Sequence, residues 1–353
     1  MTNNSLSTPR VAVVGGGHLG RIHAKLLAAN TGCELVCVAD PDSNSRQLVS
    51  SQLGLASVAD YKSLAGLVDG VVIATPTFLH HEVGMWCLNN GIHCLIEKPI
   101  ATNSSEAKQL VDLAKIKGLT LQIGHVERFN PVWTTAKESI DTHSIRYIEA
   151  TREGCYTGRS TDIGIVLDLM IHDIDLILSI VPSSVEQVNA YGWTVLGQHE
   201  DLAVAQLVFR NGTMAQLRAS RVSESMNRCM QICSDTELTK IDFAQGTVTR
   251  TRPHDDVLEG KRLADKLPPL ERAKVKDVLF SDWLHKTENK PASVNAISLE
   301  HNEWLQAIRY GQDVTVPGIM GAQALKIAEQ IIEALSFSRR GSFVIPAADR
   351  FAA

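Results

Sequence analysis

A glycine-rich turn near the start of this 353-residue chain constrains its fold more than any other feature. The motif Gly15-x-Gly17-x-x-Gly20 directly follows the apolar run Arg10–Val14 and leads into Leu19–Ala28, whose apolar residues recur at helical spacing. In this strand–turn–helix context the first glycine allows a tight turn, the second lets a pyrophosphate approach the backbone, and the third lets helix and strand pack closely. The pattern predicts a dinucleotide-binding unit; the alternative is a tight turn that binds no ligand.

Residues within and after this turn indicate which dinucleotide it would bind. His18 and Leu19 begin the predicted helix, where unpaired backbone N–H groups attract phosphate, so we expect both among the cofactor contacts. Asp40 ends the next apolar run, twenty residues after Gly20. A carboxylate there can accept hydrogen bonds from ribose hydroxyls and would repel a 2′-phosphate, which predicts NAD rather than NADP. Arg46 could instead attract that phosphate, although its position favours the following helix.

Short apolar runs alternate with helical patterns through the first 125 residues. The runs are nearly free of charged residues, as expected of strands buried on both faces. This alternation predicts an α/β fold with a parallel sheet between two layers of helices. The predicted strands are 10–14, 34–39, 71–74, 94–96 and 119–123, with a helix at 104–117 among the connections.

The pattern changes after about residue 125. Strand candidates now alternate apolar and polar residues and are joined by short turns, including an Asn211-Gly212 bend typical of a hairpin. One strong helix, 166–180, precedes most of them. The sequence therefore predicts a largely antiparallel sheet with helices on one face. The strand candidates are 146–151, 185–193, 202–209, 213–219, 230–234 and 238–243.

The charge balance and the cysteine pattern exclude several classes of protein. Thirty-four basic residues against 39 acidic residues give a net charge of −5, which provides no positive field to recruit nucleic acid or an anionic membrane. No apolar stretch is long enough to cross a membrane, and the polar first ten residues lack the apolar core of a secretion signal. Seven scattered cysteines without a Cys-x-x-Cys pair indicate reduced thiols, so we expect a cytoplasmic protein.

A charged pair follows the fourth predicted strand. The segment Glu97-Lys98-Pro99 comes directly after the apolar run, at the carboxyl end where open α/β sheets bind ligands. Lys98 is therefore a candidate for the reacting end of the site. The alternative is a surface salt bridge at a strand end.

The predicted helix 166–180 carries a carboxylate and an imidazole among apolar residues. Asp168 and His172 are four residues apart, so both side chains leave the same face. Histidine titrates near neutral pH and can take a proton from an alcohol, and a neighbouring carboxylate would orient the ring. The alternatives are a satisfied buried pair or two metal ligands; no third ligand is evident, and we predict no metal site. Asp173 and Asp175 lie off that face and are expected to be cap, salt-bridge or surface acids.

Together these motifs resemble the Gfo/Idh/MocA oxidoreductase family in order and spacing. The resemblance rests on the glycine-rich turn, Ala74-Thr75-Pro76-Thr77 followed by His80, Glu97-Lys98-Pro99, and Asp168-x-x-x-His172. It implies an α/β Rossmann domain and an α+β second domain with a large open, mostly antiparallel sheet. It also implies NAD(P)-linked oxidation or reduction at a carbon of a sugar or cyclic polyol.

The resemblance assigns a role to each matching residue. Lys98 would orient the reacting hydroxyl, His172 would act as the acid/base, and Asp168 would support His172. Pro99 is expected to follow a cis peptide bond. The implied cofactor contacts beyond the glycine turn and Asp40 are Thr75, Pro76, His80, Glu97 and Lys98.

We place three segments on this basis. Residues 1–125 form the NAD-binding Rossmann domain, residues 126–320 the substrate and oligomerisation domain, and residues 321–353 a C-terminal helix and tail that pack back near the Rossmann domain. Residues 253–292 carry charges of both signs and prolines and are predicted to be an extended or mobile insertion. Because an open sheet face must be buried, we expect a homodimer or homotetramer formed through the second domain.

A narrower resemblance, to UDP-N-acetylglucosamine 3-dehydrogenases, lies in residues 124–131 (GHVERFNP) and 166–175 (VLDLMIHDID). Guanidinium groups bordering the cleft could pair with the diphosphate of a UDP-sugar. The alternative for each arginine is an exposed charge. The expected substrate contacts are Lys98, Arg128, Asn130, Arg152, Arg159 and His172.

The sequence therefore predicts an NAD-dependent dehydrogenase of CH–OH donors that oxidises C3 of UDP-N-acetylglucosamine, or of a related UDP-sugar, to the 3-keto sugar. One alternative is an NAD(P)-dependent dehydrogenase or reductase of a free sugar, an inositol or another cyclic substrate. Another is a non-catalytic dinucleotide-sensing regulatory protein. The joint presence of Lys98, Asp168 and His172 argues against that second alternative, because a binding protein needs no proton acceptor.

Overall fold

Contacts within the chain divide it into two units. The computed structural model describes residues 8–158 and 163–340, with side chains up to residue 335. One unit comprises Met1–Asn130 and Val294–Glu329, and the other comprises Pro131–Ser293 and Gln330–Ala353. Arg159, one of the expected substrate contacts, lies outside the described residues.

The first unit contains the predicted parallel sheet. Its strands are β1 (Arg10–Val14), β2 (Glu34–Ala39), β3 (Ser57–Val58), β4 (Gly70–Ile73), β5 (His93–Glu97) and β6 (Leu121–Gly124). Within the described residues they run in the order β3-β2-β1-β4-β5-β6, and every neighbouring pair is parallel. The chain order reverses on either side of β1, and in open α/β sheets such a reversal opens a ligand crevice at the carboxyl ends of the strands.

Helices connect these strands where helical patterns were predicted. They are α1 (His18–Ala28), α2 (Ser43–Leu53), α3 (His80–Asn89) and α4 (Ser104–Lys117), with 3-10 turns at Tyr61–Leu64, Thr77–Leu79 and Val126–Phe129. Local polar residues fix where they begin. The Asp42 carboxylate accepts the N–H groups of Asn44 and Ser45 at the start of α2, and the Asn103 side chain accepts the N–H of Glu106 in α4.

The second unit contains the predicted, mostly antiparallel sheet. Its elements in chain order are α5 (Pro131–Lys137), β7 (Ile145–Glu153), a π-helical turn (Val166–Met170), α6 (Ile171–Leu178), β8 (Val185–Trp193), β9 (Leu202–Phe209), β10 (Met214–Ser220), β11 (Asn227–Ser234), β12 (Leu238–Asp242), β13 (Thr247–Pro253), α7 (Asp255–Leu258), α8 (Pro269–Lys274) and β14 (Leu284–Asn289). In the described part of the chain the strand order is β14-β13-β12-β11-β7-β10-β9-β8. Only β7 and β10 pair in parallel among these neighbours.

One face of this sheet is buried and the other is partly exposed. Along β9, Ala203, Ala205, Leu207 and Phe209 are buried, while the alternate residues are only half-buried. The π-helical turn contacts β10, and α6 contacts both β7 and β10. The sheet therefore has the open face that the resemblance implied.

The segment 253–292, predicted to be an extended or mobile insertion, contains regular structure. It includes α7, α8 and β14, and β14 pairs with β13 from Val248 to Pro253. Short turns at Ala264–Lys266, Val275–Asp277 and Leu279–Trp283 connect them. Five of the six residues of β14 are exposed, so the strand does not need apolar residues at alternate positions. Its sequence therefore lacks the pattern that predicts a strand.

Two further helices follow, α9 (Ala296–Tyr310) and α10 (Gly318–Arg340). Trp304 and Leu305 of α9 belong to the core cluster formed around β1, β2 and β5. A Cβ on Gly70 would lie 2.8 Å from the Trp304 ring, so β4 begins with a glycine directly beneath the indole. The second domain was expected to extend to residue 320; instead the first unit resumes at Val294, because α9 supplies part of its core.

Candidate functional site

The glycine-rich turn has the geometry of a phosphate-binding turn. Gly15 has φ +103°, and a Cβ there would lie 2.5 Å from the carbonyl oxygen of Ala74. A Cβ on Gly20 would lie 1.8 Å from the carbonyl oxygen of Gly15, so only glycine permits this approach of helix to strand. A Cβ on Gly17 would meet no atom within 4 Å. The turn is therefore closed at Gly15 and Gly20 and open at Gly17, where a ligand can approach.

The N-terminus of α1 is available to an anion at this opening. Gly17 is the N-cap residue, and among the described residues no side chain caps the helix. His18 is exposed and Leu19 is half-buried in the first turn. Uncapped N–H groups and the helix dipole favour a phosphate at this point, as the sequence predicted.

A cavity of about 680 Å³ extends from the turn along the carboxyl ends of β1, β2 and β4. This is the place where the strand order reverses, and the volume is that of a small-molecule site. Five of the predicted cofactor contacts line it: Gly15, Gly17, Asp40, Thr75 and Pro76. The cavity, the uncapped helix and the open Gly17 together fit a dinucleotide.

Two carboxylates on the cavity wall bear on which dinucleotide fits. Asp40 accepts the N–H of Gly16 at 2.6 Å through Oδ2 and the N–H of Asp42 at 2.8 Å through Oδ1. Asp60, which the sequence analysis missed, also lines the cavity. Arg46 lies on α2 as expected, and its Nη1 donates to the carbonyl oxygens of Asp40 and Pro41, both at 2.8 Å. The negative wall favours free ribose hydroxyls over a 2′-phosphate.

Tyr61 is a second cavity residue that the sequence analysis missed. Its hydroxyl donates to Glu82 at 3.1 Å, and its ring stands edge-on to Trp86 with centroids 5.3 Å apart. Burial, followed by the hydrogen bond to Glu82, raises the pKa of Tyr61 to about 12. The preceding strand β3 has only two residues, too few for a periodic pattern to mark the position.

Lys98 and Pro99 follow the end of β5. Lys98 is half-buried, and the bond between the two residues is cis, as the resemblance implied. His80 is buried behind them, with Nδ1 2.8 Å from the Pro99 carbonyl oxygen and Nε2 2.9 Å from that of Thr75. Burial lowers the pKa of His80 despite these two acceptors. His80 thus bridges the two segments and does not line the cavity, in contrast to its expected role as a cofactor contact.

Glu97 was also expected to contact the cofactor, but it points into the protein. It is 8% exposed; Oε1 lies 2.8 Å from Nε2 of His23, and Oε2 accepts the backbone N–H of Lys98 at 3.2 Å. A Cβ on Gly124 would lie 3.0 Å from the carboxylate. The strand alternation does not reveal this, because the residue's partner lies on α1.

The predicted proton-transfer residues lie together on one helical segment of the second unit. Asp168 is in the π-helical turn and His172 is in the first turn of α6, and both are half-buried. Short π-helical segments often occur at functional sites. Asp173 and Asp175 were expected to be cap, salt-bridge or surface acids. Asp173 does form an ion pair, but both residues are buried because α6 is packed on most of its circumference.

Arg152 forms a buried ion pair in the second unit. Its Nε and Nη2 donate to the two carboxylate oxygens of Asp173 at 3.0 and 2.9 Å, and its side chain is almost fully buried. The guanidinium also lies over the Phe243 ring, 5.7 Å from the centroid. This arrangement contradicts the expectation that Arg152 contacts substrate, since the fork that would bind phosphate is occupied by Asp173.

Two other expected substrate contacts belong to the first unit. Arg128 is 5% exposed, and its Nη2 lies 3.5 Å from the Met320 sulfur. Asn130 is half-buried and donates from Nδ2 to Glu127 at 2.8 Å. Of the two, Asn130 is the more accessible to a ligand.

The part of the chain that the structure describes contains neither a metal centre nor a membrane-spanning helix. In residues 8–158 and 163–340, no three His, Cys, Asp or Glu side chains are grouped so as to hold a metal ion. Over the same ranges, no helix is both long enough and apolar enough to cross a membrane.

Comparison with known proteins gives two family matches and several related dehydrogenases. Residues 9–125 match the model described as "Oxidoreductase family, NAD-binding Rossmann fold", and residues 138–239 match the "GFO/IDH/MocA C-terminal domain". UDP-N-acetylglucosamine 3-dehydrogenase of Acidithiobacillus ferrooxidans is 31% identical over 91% of this chain and 96% of its own length. A solved structure of that enzyme covers 93% of this chain and 98% of its own, with a TM-score of 0.81 at 30% identity. The scyllo-inositol 2-dehydrogenase (NAD(+)) of Bacillus subtilis is 30% identical over 61% of this chain and 68% of its own.

Proposed function

Because the chain belongs to the Gfo/Idh/MocA family of NAD-binding oxidoreductases and is an NAD-dependent dehydrogenase, we propose that it oxidises a ring hydroxyl of a UDP-sugar. The proposed reaction converts C3 of UDP-N-acetylglucosamine to the 3-keto sugar. The observation that carries this choice is the extent of the match. The UDP-N-acetylglucosamine 3-dehydrogenase aligns over 91% of this chain, whereas the scyllo-inositol dehydrogenase aligns over 61%.

In the proposed reaction the bound NAD⁺ supplies a hydride acceptor. His172 takes the proton of the reacting hydroxyl, because an imidazole near neutral pH is a suitable base for an alcohol. Asp168, one helical turn before it, orients the ring. Lys98 donates a hydrogen bond to the same oxygen and holds the carbon in place for transfer. These roles give a function to Lys98, Asp168 and His172, three residues that a non-catalytic dinucleotide-binding protein would not need.

Cofactor contacts in this proposal come from the cavity wall and the helix terminus. The N–H groups at His18 and Leu19 face the pyrophosphate, and Asp40 accepts the ribose hydroxyls. Thr75 and Pro76 line the far part of the cavity. His80 and Glu97 act from behind, by fixing the segments that carry Thr75 and Lys98.

The geometry described above leaves fewer proposed substrate contacts than the sequence analysis gave. Arg152 is withdrawn because Asp173 occupies two of its guanidinium donors, and Arg128 is withdrawn because it is almost fully buried. Asn130 and Arg159 remain as proposed contacts, and Arg159 is the remaining candidate for the diphosphate.

A substrate comparison tests the proposal directly. NADH formation, followed by absorbance, is measured with UDP-N-acetylglucosamine, UDP-glucose, N-acetylglucosamine and a panel of inositols. The proposal expects the highest kcat/KM for UDP-N-acetylglucosamine and little turnover of the unphosphorylated sugar. A higher kcat/KM for an inositol would establish the alternative reaction, whose support is the 30% identity to the scyllo-inositol 2-dehydrogenase (NAD(+)) of Bacillus subtilis. NAD binding with no turnover on the whole panel would favour a dinucleotide-sensing protein.

Self-association of the second unit is a further part of the proposal. The open face of the eight-stranded sheet places half-buried residues such as Val204 and Val208 on alternate positions of β9. A sheet face of this kind is commonly covered by a second copy. We expect a homodimer or homotetramer, and a concentration-independent monomer in light scattering would contradict it.

The proposed compartment is the cytoplasm. All seven cysteines are free thiols, and three of them are buried. Reduced cysteines are typical of the cytoplasm. Fractionation of cells that express the chain with a small tag would test this, and recovery from an oxidising compartment would contradict it.

A further inference from the structure

Three buried side chains from three separate elements form a continuous hydrogen-bonded chain in the first unit. Nε2 of His301 lies 2.8 Å from Nδ1 of His23, and Nε2 of His23 lies 2.8 Å from Oε1 of Glu97. Both histidines are 0% exposed. They come from α9 and α1, and Glu97 ends β5. A chain of buried polar groups is stabilised only while each member keeps its partner.

This series of hydrogen-bonded side chains ends at the backbone N–H of Lys98, the residue proposed to orient the substrate. The second oxygen of Glu97 accepts the N–H of Lys98 at 3.2 Å. On its other side the carboxylate occupies the space over Gly124 that any larger residue would fill. His23 lies three residues after Gly20, on the helix that begins at the glycine-rich turn. The chain therefore joins the dinucleotide-binding helix to the segment that carries Lys98.

The electrostatics of the cluster keep Glu97 ionised. Burial favours the neutral acid, but the hydrogen bond from His23 and the charges of His23 and Lys98 bring the pKa of Glu97 below its usual value. Burial and repulsion from His23 lower the pKa of His301 to about 3, so its ring is neutral. The adjacent Glu300 is also buried, and burial followed by the charge of Glu97 raises its pKa well above its usual value. Glu97 is thus the ionised carboxylate of this group at neutral pH.

We propose that His23 and His301 are positioning residues for Lys98, which act by holding the Glu97 carboxylate charged and aimed at the Lys98 backbone. The proposal rests on the function proposed above, in which Lys98 orients the reacting hydroxyl. His23 supplies the hydrogen bond that Glu97 needs in a buried setting, and His301 fixes the His23 ring. Without His23, burial would raise the pKa of Glu97 and favour its protonated, neutral form. Lys98 would then lose the negative charge of the neighbouring carboxylate.

The reactivity of the Lys98 amine tests this without any substrate. Folded protein is treated with a trace amount of acetic anhydride at pH 7.5, and acetylation of Lys98 is measured by peptide mass spectrometry relative to exposed Lys62 and Lys115. In His23→Leu and Glu97→Gln we expect Lys98 to be acetylated about 10-fold faster, because the charge of Glu97, which interacts with that of Lys98, would be lost and an interacting opposite charge typically changes a group's protonation equilibrium by a factor of about 10 or more. His23→Gln, which keeps a donor, should stay near wild type.

The matched control is Glu300→Gln. Glu300 precedes His301 and is equally buried, but its side chain is not part of the hydrogen-bonded series His301–His23–Glu97. Its replacement by Gln exchanges one neutral group for another. Glu300→Gln is expected to leave Lys98 acetylation unchanged. Equal acceleration in Glu300→Gln, or unchanged acetylation in a folded Glu97→Gln variant, would overturn the proposal. Glu97→Gln preserves shape, so it keeps the test decisive even where His23→Leu does not fold.

Kinetics provide the second measurement. With the substrate proposed above, His23→Leu is expected to lower kcat by about 10–100-fold with little change in the Kd for NAD, since displacing a reacting group by about 1 Å can cost about 100-fold. If Lys98 is acetylated faster in the His23→Leu and Glu97→Gln variants, but the wild type turns over no sugar, the positioning role is upheld and the proposed reaction is refuted. Unchanged acetylation together with normal UDP-sugar oxidation would do the reverse.

Discussion

The carboxylate of Asp40 accepts the backbone N–H of Gly16 at 2.6 Å, so the end of β2 is tied to the glycine-rich turn. The same carboxylate accepts the N–H of Asp42, where α2 begins. A residue that would recognise the ribose therefore also holds the turn that would bind the pyrophosphate. Recognition and turn geometry are coupled through one side chain.

We predict that Asp40→Ala weakens NAD binding by about 10–100-fold, because a hydrogen bond to a charged group contributes about 1.5–3 kcal/mol. The same variant should prefer NAD over NADP less strongly, since one of two carboxylates on the cavity wall is gone. Kd values for both dinucleotides can be measured by fluorescence titration. Asp42→Ala is the matched control: it removes the N-cap of α2 and lowers stability but should leave the Kd for NAD unchanged. Equal loss of NAD affinity in both variants would contradict the assignment of Asp40.

We predict that Gly17→Ala and Gly20→Ala fail for different reasons. Gly17→Ala places a methyl group in open space, so the protein should fold normally but bind NAD weakly. Gly20→Ala places one 1.8 Å from the Gly15 carbonyl oxygen, and such overpacking costs about 1–3 kcal/mol of stability. Thermal melting without ligand and NAD titration separate the two effects. A destabilised Gly17→Ala with normal NAD affinity would be inconsistent with the proposed pyrophosphate position.

We predict that His172→Ala lowers kcat by about 10²–10⁴-fold while NAD binding is retained, as expected for loss of a general base. Asp168→Asn should lower kcat less, because the imidazole remains. His199→Ala, at an exposed position of the same unit, serves as the control and should keep wild-type kcat. Undiminished turnover in His172→Ala would remove His172 from the mechanism.

We predict that Asp173→Ala lowers the free energy of unfolding by about 3–5 kcal/mol, because it removes the carboxylate that pairs with the buried Arg152 guanidinium through two hydrogen bonds. Asp235→Ala breaks a second Arg–Asp pair in the same unit, with Arg146, which is largely exposed, and should have a far smaller effect. Urea denaturation measures both. If Asp173→Ala is stable and instead raises KM for a UDP-sugar, the structural assignment of Arg152 is wrong.

We predict that His301 and Glu300 make stability depend on pH in opposite directions. His301 has a pKa of about 3 in the folded protein, against an ordinary value of 6.5. As pH falls from 6.5 towards 3 the unfolded chain gains a proton that the folded chain refuses, and stability drops by about 1.4 kcal/mol per pH unit. Glu300, with its pKa raised well above 4.5, keeps a proton that the unfolded chain releases, so its effect lowers stability as pH rises above 4.5.

Glu300→Gln removes the second of these effects alone. Relative to wild type, its free energy of unfolding should therefore increase as pH rises above 4.5. Urea denaturation at pH 5, 6 and 7 measures this difference. A difference that stays constant over this range would show that Glu300 ionises normally in the folded protein.

The parts of the molecule that depend on local pattern could be predicted from the sequence. The apolar runs form β1, β2, β4 and β5 because buried parallel strands exclude charge, and the glycine-rich turn forms because Gly15 and Gly20 each meet a specific backbone constraint. Asp168 and His172 share a helical segment because four-residue spacing brings side chains to one side.

Features that depend on distant partners could not be predicted in this way. Arg152 was read as a phosphate ligand, but the direction of its side chain is set by Asp173 on another element. The Glu97 side chain points into the protein because it forms a hydrogen bond with His23 of α1. The π-helical turn leaves no mark in a pattern read at 3.6 residues per turn. Likewise, α9 joins the first unit through Trp304, a contact that spans more than two hundred residues of sequence.

The position of Trp304 and Leu305 in the core of the first unit has a consequence for biosynthesis. During translation the ribosome completes the six parallel strands long before it reaches α9, so the amino-terminal sheet emerges with an apolar gap over Gly70. That gap stays unfilled while the whole second sheet is made. Nascent chains halted between residues 130 and 290 should therefore be the species that chaperones retain, and the amino-terminal half should gain protease resistance only after α9 leaves the exit tunnel.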